Sequence, residues 1–356
     1  MTDLDSLRKE IDTLDSQLLE LLNQRMEVVR KVGEFKKVNR AVIYRPEREK
    51  AILDRLTSLN HGLLNRQAIE AIFLEIFAVS RNIELPEKIS YLGPEGSFTH
   101  QAAESRFGAM SEYLPVETIS SVFDMVETGR ARFGVVPIEN NREGVVTETF
   151  ECLTRTDLNI VAEIPLPIHF SFSTLAEKVQ DIRRIYSKDI AFRQCSKFLK
   201  ETYGINKVDL IPVDSTSKAA HMAAREPDSA AICSHIAARQ QNLPLLFENI
   251  EDSSDNMTRF LIIARDVINK MGDSDKSTIL ARLGDEPGSL ASFLKDFHDN
   301  GVNLTRIESR PARKGKSFKY WFFIDLVGHF EQDNVKKVLD KYRKHVKILG
   351  SYVRLV

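Results

Sequence analysis

The chain is poor in cysteine: Cys152, Cys195 and Cys233 are its only three, and none stands in a CxxC spacing. That excludes a disulfide framework and fits a reducing compartment, so a cytoplasmic location is expected. Eight histidines show no HExxH and no Cys/His ligand spacing, so neither a metal nor another cofactor is expected. No stretch approaches 18 uninterrupted apolar residues, which excludes a membrane-spanning helix. The opening residues MTDLDSLRKEID lack a basic stretch followed by an apolar one, and are not expected to be a signal peptide. Net charge is −1, so no broad basic field draws the chain to nucleic acid or to an anionic membrane. Any cationic site for an acidic ligand has to be built locally.

What is present is an ordinary globular balance, 42% hydrophobic and 28% charged over 356 residues, which predicts two or three domains. Three segments follow different patterns. In residues 3–84, Leu4, Leu7, Ile11, Leu14, Leu18, Leu21, Val28, Val32 and Phe35 recur at three- and four-residue steps, with no glycine before Gly33. A helix over 3–38 is predicted, roughly 50 Å long at 1.5 Å per residue. Helices over 46–60, opened by Pro46, and over 65–84 follow. Three helices around so long a first one cannot close a core alone, so an intertwined homodimer or higher homo-oligomer is expected.

In residues 88–266, short β-branched runs alternate with helix-like stretches, which predicts an α/β domain with mostly parallel sheets. Only Leu85-Pro86-Glu87-Lys88 separates it from the first segment. Residues 266–276 read as a polar linker. Residues 277–356 run strand, helix (289–299), strand, strand, helix (333–345), strand, the βαββαβ order of a ferredoxin-like unit.

Arg25 and Lys36 are eleven residues apart, about 20° around a helix, and so share a face. Arg25 interrupts an apolar stripe, where an unpaired cation is costly unless a ligand supplies the anion. Arg8 lies some 25 Å away along the same helix and can join them only from an antiparallel partner.

LRKEIDTLDSQLLELLNQRMEVVRKVGEFK, RPEREKAIL and SRNIE resemble the all-helical chorismate mutases. The resemblance implies that Arg8 of a partner and Arg25 hold the substrate carboxylates, and that Lys36 bonds the ether oxygen and a carboxylate. It further implies that Glu49 accepts from the ring hydroxyl, while Arg48 and Ser80 complete the pocket. This chain carries Glu84 where many relatives carry glutamine. A carboxyl there can donate to the ether oxygen only when protonated.

GPEGSF (93–98), VPIENNREGVVTET (136–149), LPIHFSF (166–172), RQC (193–195), STSKAA (215–220) and NIEDSSDNMTRFLII (249–263) are similar to prephenate dehydratases, in the family's order. That resemblance implies two lobes joined by crossing strands, like a periplasmic binding protein, with substrate in the cleft. Thr258 is the implied donor to the departing ring hydroxyl. Ser97, Thr99, Glu139, Asn140, Ser215, Thr216, Asn256 and Phe260 are the implied surroundings, and Arg259 is either a further substrate contact or an ion-pair strut. Asn141 stands where relatives have serine, and Ser187-Lys188-Asp189-Ile190-Ala191 departs from the usual SHPQA-like stretch. These departures leave prephenate and arogenate both open as substrates.

Residues 285–290 (DEPGSL), 301–305 (GVNLT) and 308–311 (ESRP) resemble the ACT regulatory domain of the same enzymes. Gly288, Ser289, Leu290, Asn303, Leu304, Glu308, Ser309 and Arg310 are the implied phenylalanine site.

The expected organisation is therefore a mutase domain (1–86), a dehydratase domain (87–266) and an ACT domain (277–356). The expected function is that of the bifunctional chorismate mutase–prephenate dehydratases, with phenylalanine as effector. The alternatives are an arogenate-preferring dehydratase and an amino-acid-responsive regulatory protein whose cleft has decayed.

Overall fold

The computed structural model describes residues 3–38, 46–85, 87–204, 208–284, 286–311 and 320–354. Asp285, which opens the 285–290 stretch, lies outside the described residues. The chain divides into two compact units, Met1–Glu87 with Phe107–Glu112, and Lys88–Arg106 with Tyr113–Val356.

The first unit is helical: α1 (Leu4–Val38), α2 (Pro46–Leu59) and α3 (Arg66–Glu84). Pro46 opens α2, where its missing N–H costs nothing. Asn65 caps α3 by accepting from the Ala68 N–H at 2.8 Å. Helices α1 and α3 pack closely at Gly33, where a Cβ would stand 3.1 Å from the Glu84 Cα. The other stripe of α1 finds no cover within the protomer: Leu4, Leu7, Ile11, Leu14, Leu18 and Leu21 are 44–62% exposed.

The second unit begins with β1 (Lys88–Leu92), α4 (Phe98–Phe107), β2 (Glu112–Val116), α5 (Ile119–Glu127), β3 (Phe133–Asn140), β4 (Gly144–Val145), α6 (Thr147–Arg155) and β5 (Asn159–Pro167). A second lobe follows with β6 (Ser171–Thr174), β7 (Arg184–Ser187), α7 (Asp189–Gln194), α8 (Ser196–Tyr203), β8 (Asp209–Pro212), α9 (Thr216–Ala223), β9 (Ser229–Cys233), α10 (His235–Gln240) and β10 (Leu245–Phe247). The chain then returns through β11 (Met257–Ala264).

The sheets are ordered β2-β1-β3-β11-β5 and β10-β6-β9-β7-β8. They are mixed, which corrects the expectation of mostly parallel pairing. Strand β11 returns from the second lobe and inserts between β3 and β5, antiparallel to both. Its run Phe260–Ala264 is fully buried, as a strand covered on both faces requires.

The last part is β12 (Asp275–Ala281), α11 (Ser289–Asp299), β13 (Leu304–Pro311), β14 (Tyr320–Val327), α12 (Asp333–Lys341) and β15 (Val346–Val353), with sheet order β13-β14-β12-β15. One face packs on α11 and α12 through Ile279, Ile324, Phe293, Phe297 and Val335. The other face continues the core of the first sheet: Leu280, Phe323, Leu349 and Tyr352 cluster with Phe150, Ile160 and Leu261. The polar stretch 266–276 is bound rather than free, because buried Asn269 donates to Val161 O (2.7 Å) and Ser351 O (3.0 Å). Gly350 allows β15 to touch β5, since a Cβ there would fall 2.0 Å from the Ile160 oxygen.

Candidate active sites

In the helical unit a cavity of about 540 Å³ opens between α1, α2 and α3. Val28, Val29, Val32, Ile52 and Phe77 form its apolar walls, while Arg25, Lys36, Arg48, Arg81, Glu49, Glu84 and Ser80 supply the polar lining. Four cations face two carboxylates, a surplus of two positive charges that suits a dicarboxylate.

Arg25 Nη1 donates to Ser80 Oγ at 2.5 Å, and Ser80 donates onward to Ile76 O at 2.6 Å. Burial pulls the Arg25 guanidinium below its usual value, with Glu84 acting the other way. Lys36 Nζ reaches Glu84 Oε2 at 2.7 Å. Arg81, buried on α3, pairs with Glu49 and lies 3.6 Å from Glu87. Arg81 is not among the residues that the resemblance implies, although an arginine inside the apolar pattern of α3 is a visible signal. Arg8 is exposed, pairs among the described residues with Asp5, and does not line this cavity.

In the second unit the residues gather where β3 ends and β11 begins. Thr258 lies opposite Asn140 in the β11–β3 register. Asn140 Oδ1 accepts from the backbone N–H groups of Arg142 and Glu143, both at 2.9 Å. Those two donors fix the amide orientation, so its nitrogen must face the strand β11 side. It donates to Asn256 Oδ1 and to Thr258 Oγ1, each at 2.8 Å. Asn256, 3% exposed, donates in turn to Gln194 Oε1 at 3.0 Å. Gln194 ends α7 of the second lobe, so this chain of amides crosses from one lobe to the other. In the sequence Gln194 is marked only by its place in the RQC stretch.

Because Thr258 Oγ1 already accepts a donor, its own proton is free to point at a ligand. Asn141 clasps the neighbouring loop: its amide donates to Asp255 O and accepts from Met257 N–H at 3.0 Å. That accounts for a residue larger than serine at this position.

Two helix starts carry the remaining expected residues. Ser97 donates to Leu92 O (3.1 Å) and accepts from His100 N–H (3.3 Å), with buried Thr99 beside it at the start of α4. His100 stacks on Tyr91 with ring centroids 4.7 Å apart and accepts from the Gly96 N–H, so its Nδ1 carries no proton. Burial pushes its pKa below the ordinary value of 6.5. Ser215 caps α9 by accepting from Lys218 N–H at 3.1 Å, and Thr216 and Ser217 behind it are buried. Ser97 and Ser215 both follow the carboxyl ends of strands, where open α/β sheets bind ligands.

Glu139 and Arg259 face away from this group. They alternate with Asn140 and Thr258 along their strands and pair with each other, Nε to Oε1 at 3.1 Å. Arg259 Nη1 also reaches Asp325 Oδ2 at 2.7 Å, so it stands as an ion-pair strut to the last sheet. Phe260 is 2% exposed and belongs to the core.

Similarity to known proteins follows this division. Residues 7–85 match the family Chorismate mutase type II, 89–267 Prephenate dehydratase, and 277–344 the ACT domain. A bifunctional chorismate mutase/prephenate dehydratase of Aquifex aeolicus is 40% identical over 359 residues, covering 99% of this chain and 98% of the relative. This chain belongs to the bifunctional chorismate mutase/prephenate dehydratase family. A second member, from Pseudomonas aeruginosa, is also 40% identical, over 362 residues with 99% and 98% covered. A solved prephenate dehydratase in complex with L-Phe, from Arthrobacter aurescens, superposes with a TM-score of 0.67 at 33% identity, covering 75% of this chain and 90% of that one.

In this family member the ACT residues fall at the start of α11 and at both ends of edge strand β13. Gly288 takes a left-handed φ of +87° and leads into α11 at Ser289 and Leu290. Asn303 and Leu304 open edge strand β13, where Asn303 O accepts from Val327 N–H at 2.9 Å. Glu308 and Arg310 pair at 3.1 Å on either side of Ser309, and the Arg310 guanidinium lies 5.8 Å from the Phe150 ring centre.

Proposed function

We propose that the two sites act in sequence: the helical site rearranges chorismate to prephenate, and the α/β site converts prephenate to phenylpyruvate. Phenylalanine acts back through the ACT domain, at Gly288–Leu290, Asn303–Leu304 and Glu308–Arg310. The observation that carries the reading is the Asn140 amide donating to Thr258 Oγ1, which leaves the threonine proton free for a substrate oxygen.

The mutase reaction is unimolecular and needs no nucleophile. Rate comes from holding a compact conformer and stabilising negative charge on the breaking ether oxygen. Arg25 holds a carboxylate, Lys36 faces the ether oxygen, Glu49 accepts from the ring hydroxyl, and Arg48 and Ser80 complete the wall. The second carboxylate is met by Arg8 of a second copy. The uncovered α1 stripe supports that antiparallel homodimer, since water-exposed leucines at three- and four-residue steps are a seam awaiting a helix.

In the dehydratase step the carboxylate C–C bond breaks, CO2 leaves, and its electron pair enters the ring. The ring C–O bond breaks and the oxygen leaves as hydroxide, which takes a proton from solvent to become water. Thr258 donates a hydrogen bond to that oxygen, because a hydroxyl is too weak an acid to give up its proton first. Aromatisation supplies the driving force. Ser97, Thr99, Ser215 and Thr216, at the starts of two helices, hold the carboxylates, and Gln194 and Asn256 keep the lobes in register.

No described helix is long and apolar enough to cross a membrane. With three free cysteines, a cytoplasmic setting completes the reading. The test is phenylpyruvate formation from chorismate and, separately, from prephenate. Arg25→Ala should lose only the first and Thr258→Ala should lose both. Arogenate as a third substrate, read as phenylalanine formed, decides the side-chain preference, and a wild type inactive on chorismate and prephenate sinks the proposal.

A further inference from the structure

Between the dehydratase sheets and the ACT sheet lies a buried, charge-balanced cluster that the chemistry above does not use. Asp325 on β14 is 0% exposed, yet its Oδ2 lies 2.7 Å from Arg259 Nη1 and 3.4 Å from Lys276 Nζ. Its Oδ1 accepts from Thr278 Oγ1 at 2.8 Å. Glu163 on β5 pairs with Lys276 at 2.9 Å, and Glu139 on β3 pairs with Arg306 of β13 at 2.6 Å as well as with Arg259. Three cations meet three carboxylates. Burial alone would raise the Asp325 carboxyl, but Arg259 and Lys276 outweigh it and hold it below the usual range.

The placement of this cluster matters more than its strength. Arg259 follows Thr258, and Glu139 precedes Asn140, so the ion pair is the next rung of the ladder that aligns the hydroxyl with its amide donor. The rung beyond is irregular: Phe260 pairs with Pro137, leaving Ile138 as an extra residue on β3. A bulge beside a site re-aims the adjoining side chains, and its geometry is held only by what pins it. Here the pin is Arg259, and what holds Arg259 from the other side is a carboxylate of the ACT sheet.

We infer that Asp325, a residue of the regulatory domain, is a positioning residue for the dehydratase reaction, acting through Arg259 on the orientation of Thr258. The inference rests on the proposed role of Thr258. It gives the regulatory sheet a direct handle on the reacting hydroxyl: any shift of β14 that lengthens the Asp325–Arg259 pair loosens the bulge and turns Thr258 from its line.

The experiment is a double-mutant cycle in the full chain, with prephenate as substrate. Asp325→Asn should lower dehydratase kcat by about tenfold or more with KM little changed, and leave mutase turnover intact. In a Thr258→Ala background it should cause no further loss, because the hydroxyl it positions is gone. The same factor lost in both backgrounds, a change in KM alone, or no loss at all overturns the inference. Thr258→Ala as active as wild type overturns the reading of Thr258 itself, in an arm that does not involve Asp325. Should Asp325→Asn fail to fold by thermal melting, Thr278→Val keeps the carboxylate and removes one donor to it, together with the bond between Thr278 and Tyr352. It should then show a smaller kcat loss of the same non-additive kind, and additivity would again refute the inference.

Discussion

Lys36 on α1 reaches Glu84 at the last turn of α3, Nζ to Oε2 at 2.7 Å, across the cavity that the mutase substrate is proposed to enter. The bond is possible because Gly33, one turn earlier, lets the two helices approach. It also sets two demands in conflict, since an ionised Glu84 holds the cation that the breaking ether oxygen needs and adds a negative charge beside an anionic substrate.

Glu84→Gln removes that conflict. Mutase kcat is expected to rise in the variant, because the amide can donate to the ether oxygen and no longer ties up Lys36 as an ion pair. Mutase kcat of the two proteins decides it; an unchanged or lower value in the variant would end the idea.

Asn140→Asp tests the donor to Thr258. The new carboxylate keeps the shape but has no N–H, so Thr258 must turn its own proton toward it and away from the substrate. A loss of about 10²–10³ in dehydratase kcat is expected, the usual scale for removing one preorganised donor. Mutase turnover should be unchanged. A loss under threefold, measured by phenylpyruvate formation, would mean that Thr258 is not aligned by this amide.

Arg8 should act only in trans. Arg8→Ala and Arg25→Ala are each expected to abolish mutase activity, yet an exchanged equal mixture should recover about a quarter of the wild-type rate, since half the dimers are mixed and each has one intact site. A Leu14→Lys, Leu18→Lys variant should lose mutase activity because it uncouples the α1 seam. Absence of recovery in the mixture places both arginines in one chain.

His100 predicts a pH dependence of stability. Burial lowers its folded pKa below the ordinary 6.5, outweighing Glu104 and Glu95, so the folded state binds fewer protons than the unfolded one. Its contribution is therefore full above the unfolded value and is lost as pH falls through the folded value. The melting temperature should drop as pH falls below the ordinary imidazole value of about 6.5, and His100→Gln, which cannot take up a proton, should flatten that part of the curve. A drop of equal size in the variant assigns it to other groups.

Much of the fold could be read from residue order. The apolar period of 3–38 and Pro46 predicted the helices to within a residue or two, and strands such as Phe133–Asn140 announced themselves by β-branched runs. Pairing direction could not be read. The run 257–264 has the composition of any buried strand, and only the return of the chain from the second lobe makes it antiparallel between β3 and β5. Stretch 266–276 looked like a tether because it is polar; in the fold its Asn269 closes two backbone carbonyls from different sheets.

By itself the sequence determined the division into mutase, dehydratase and ACT segments, and the chemical types placed at each site, because both follow from local periodicity and short motifs. Tertiary structure alone decided which face each side chain serves. Thr258 and Arg259 are neighbours in one motif, but strand alternation sends the first toward Asn140 and the second into a buried ion pair with Asp325, 66 residues away. No local pattern encodes a partner at that distance. It exists because two sheets with apolar inner faces had to share one core.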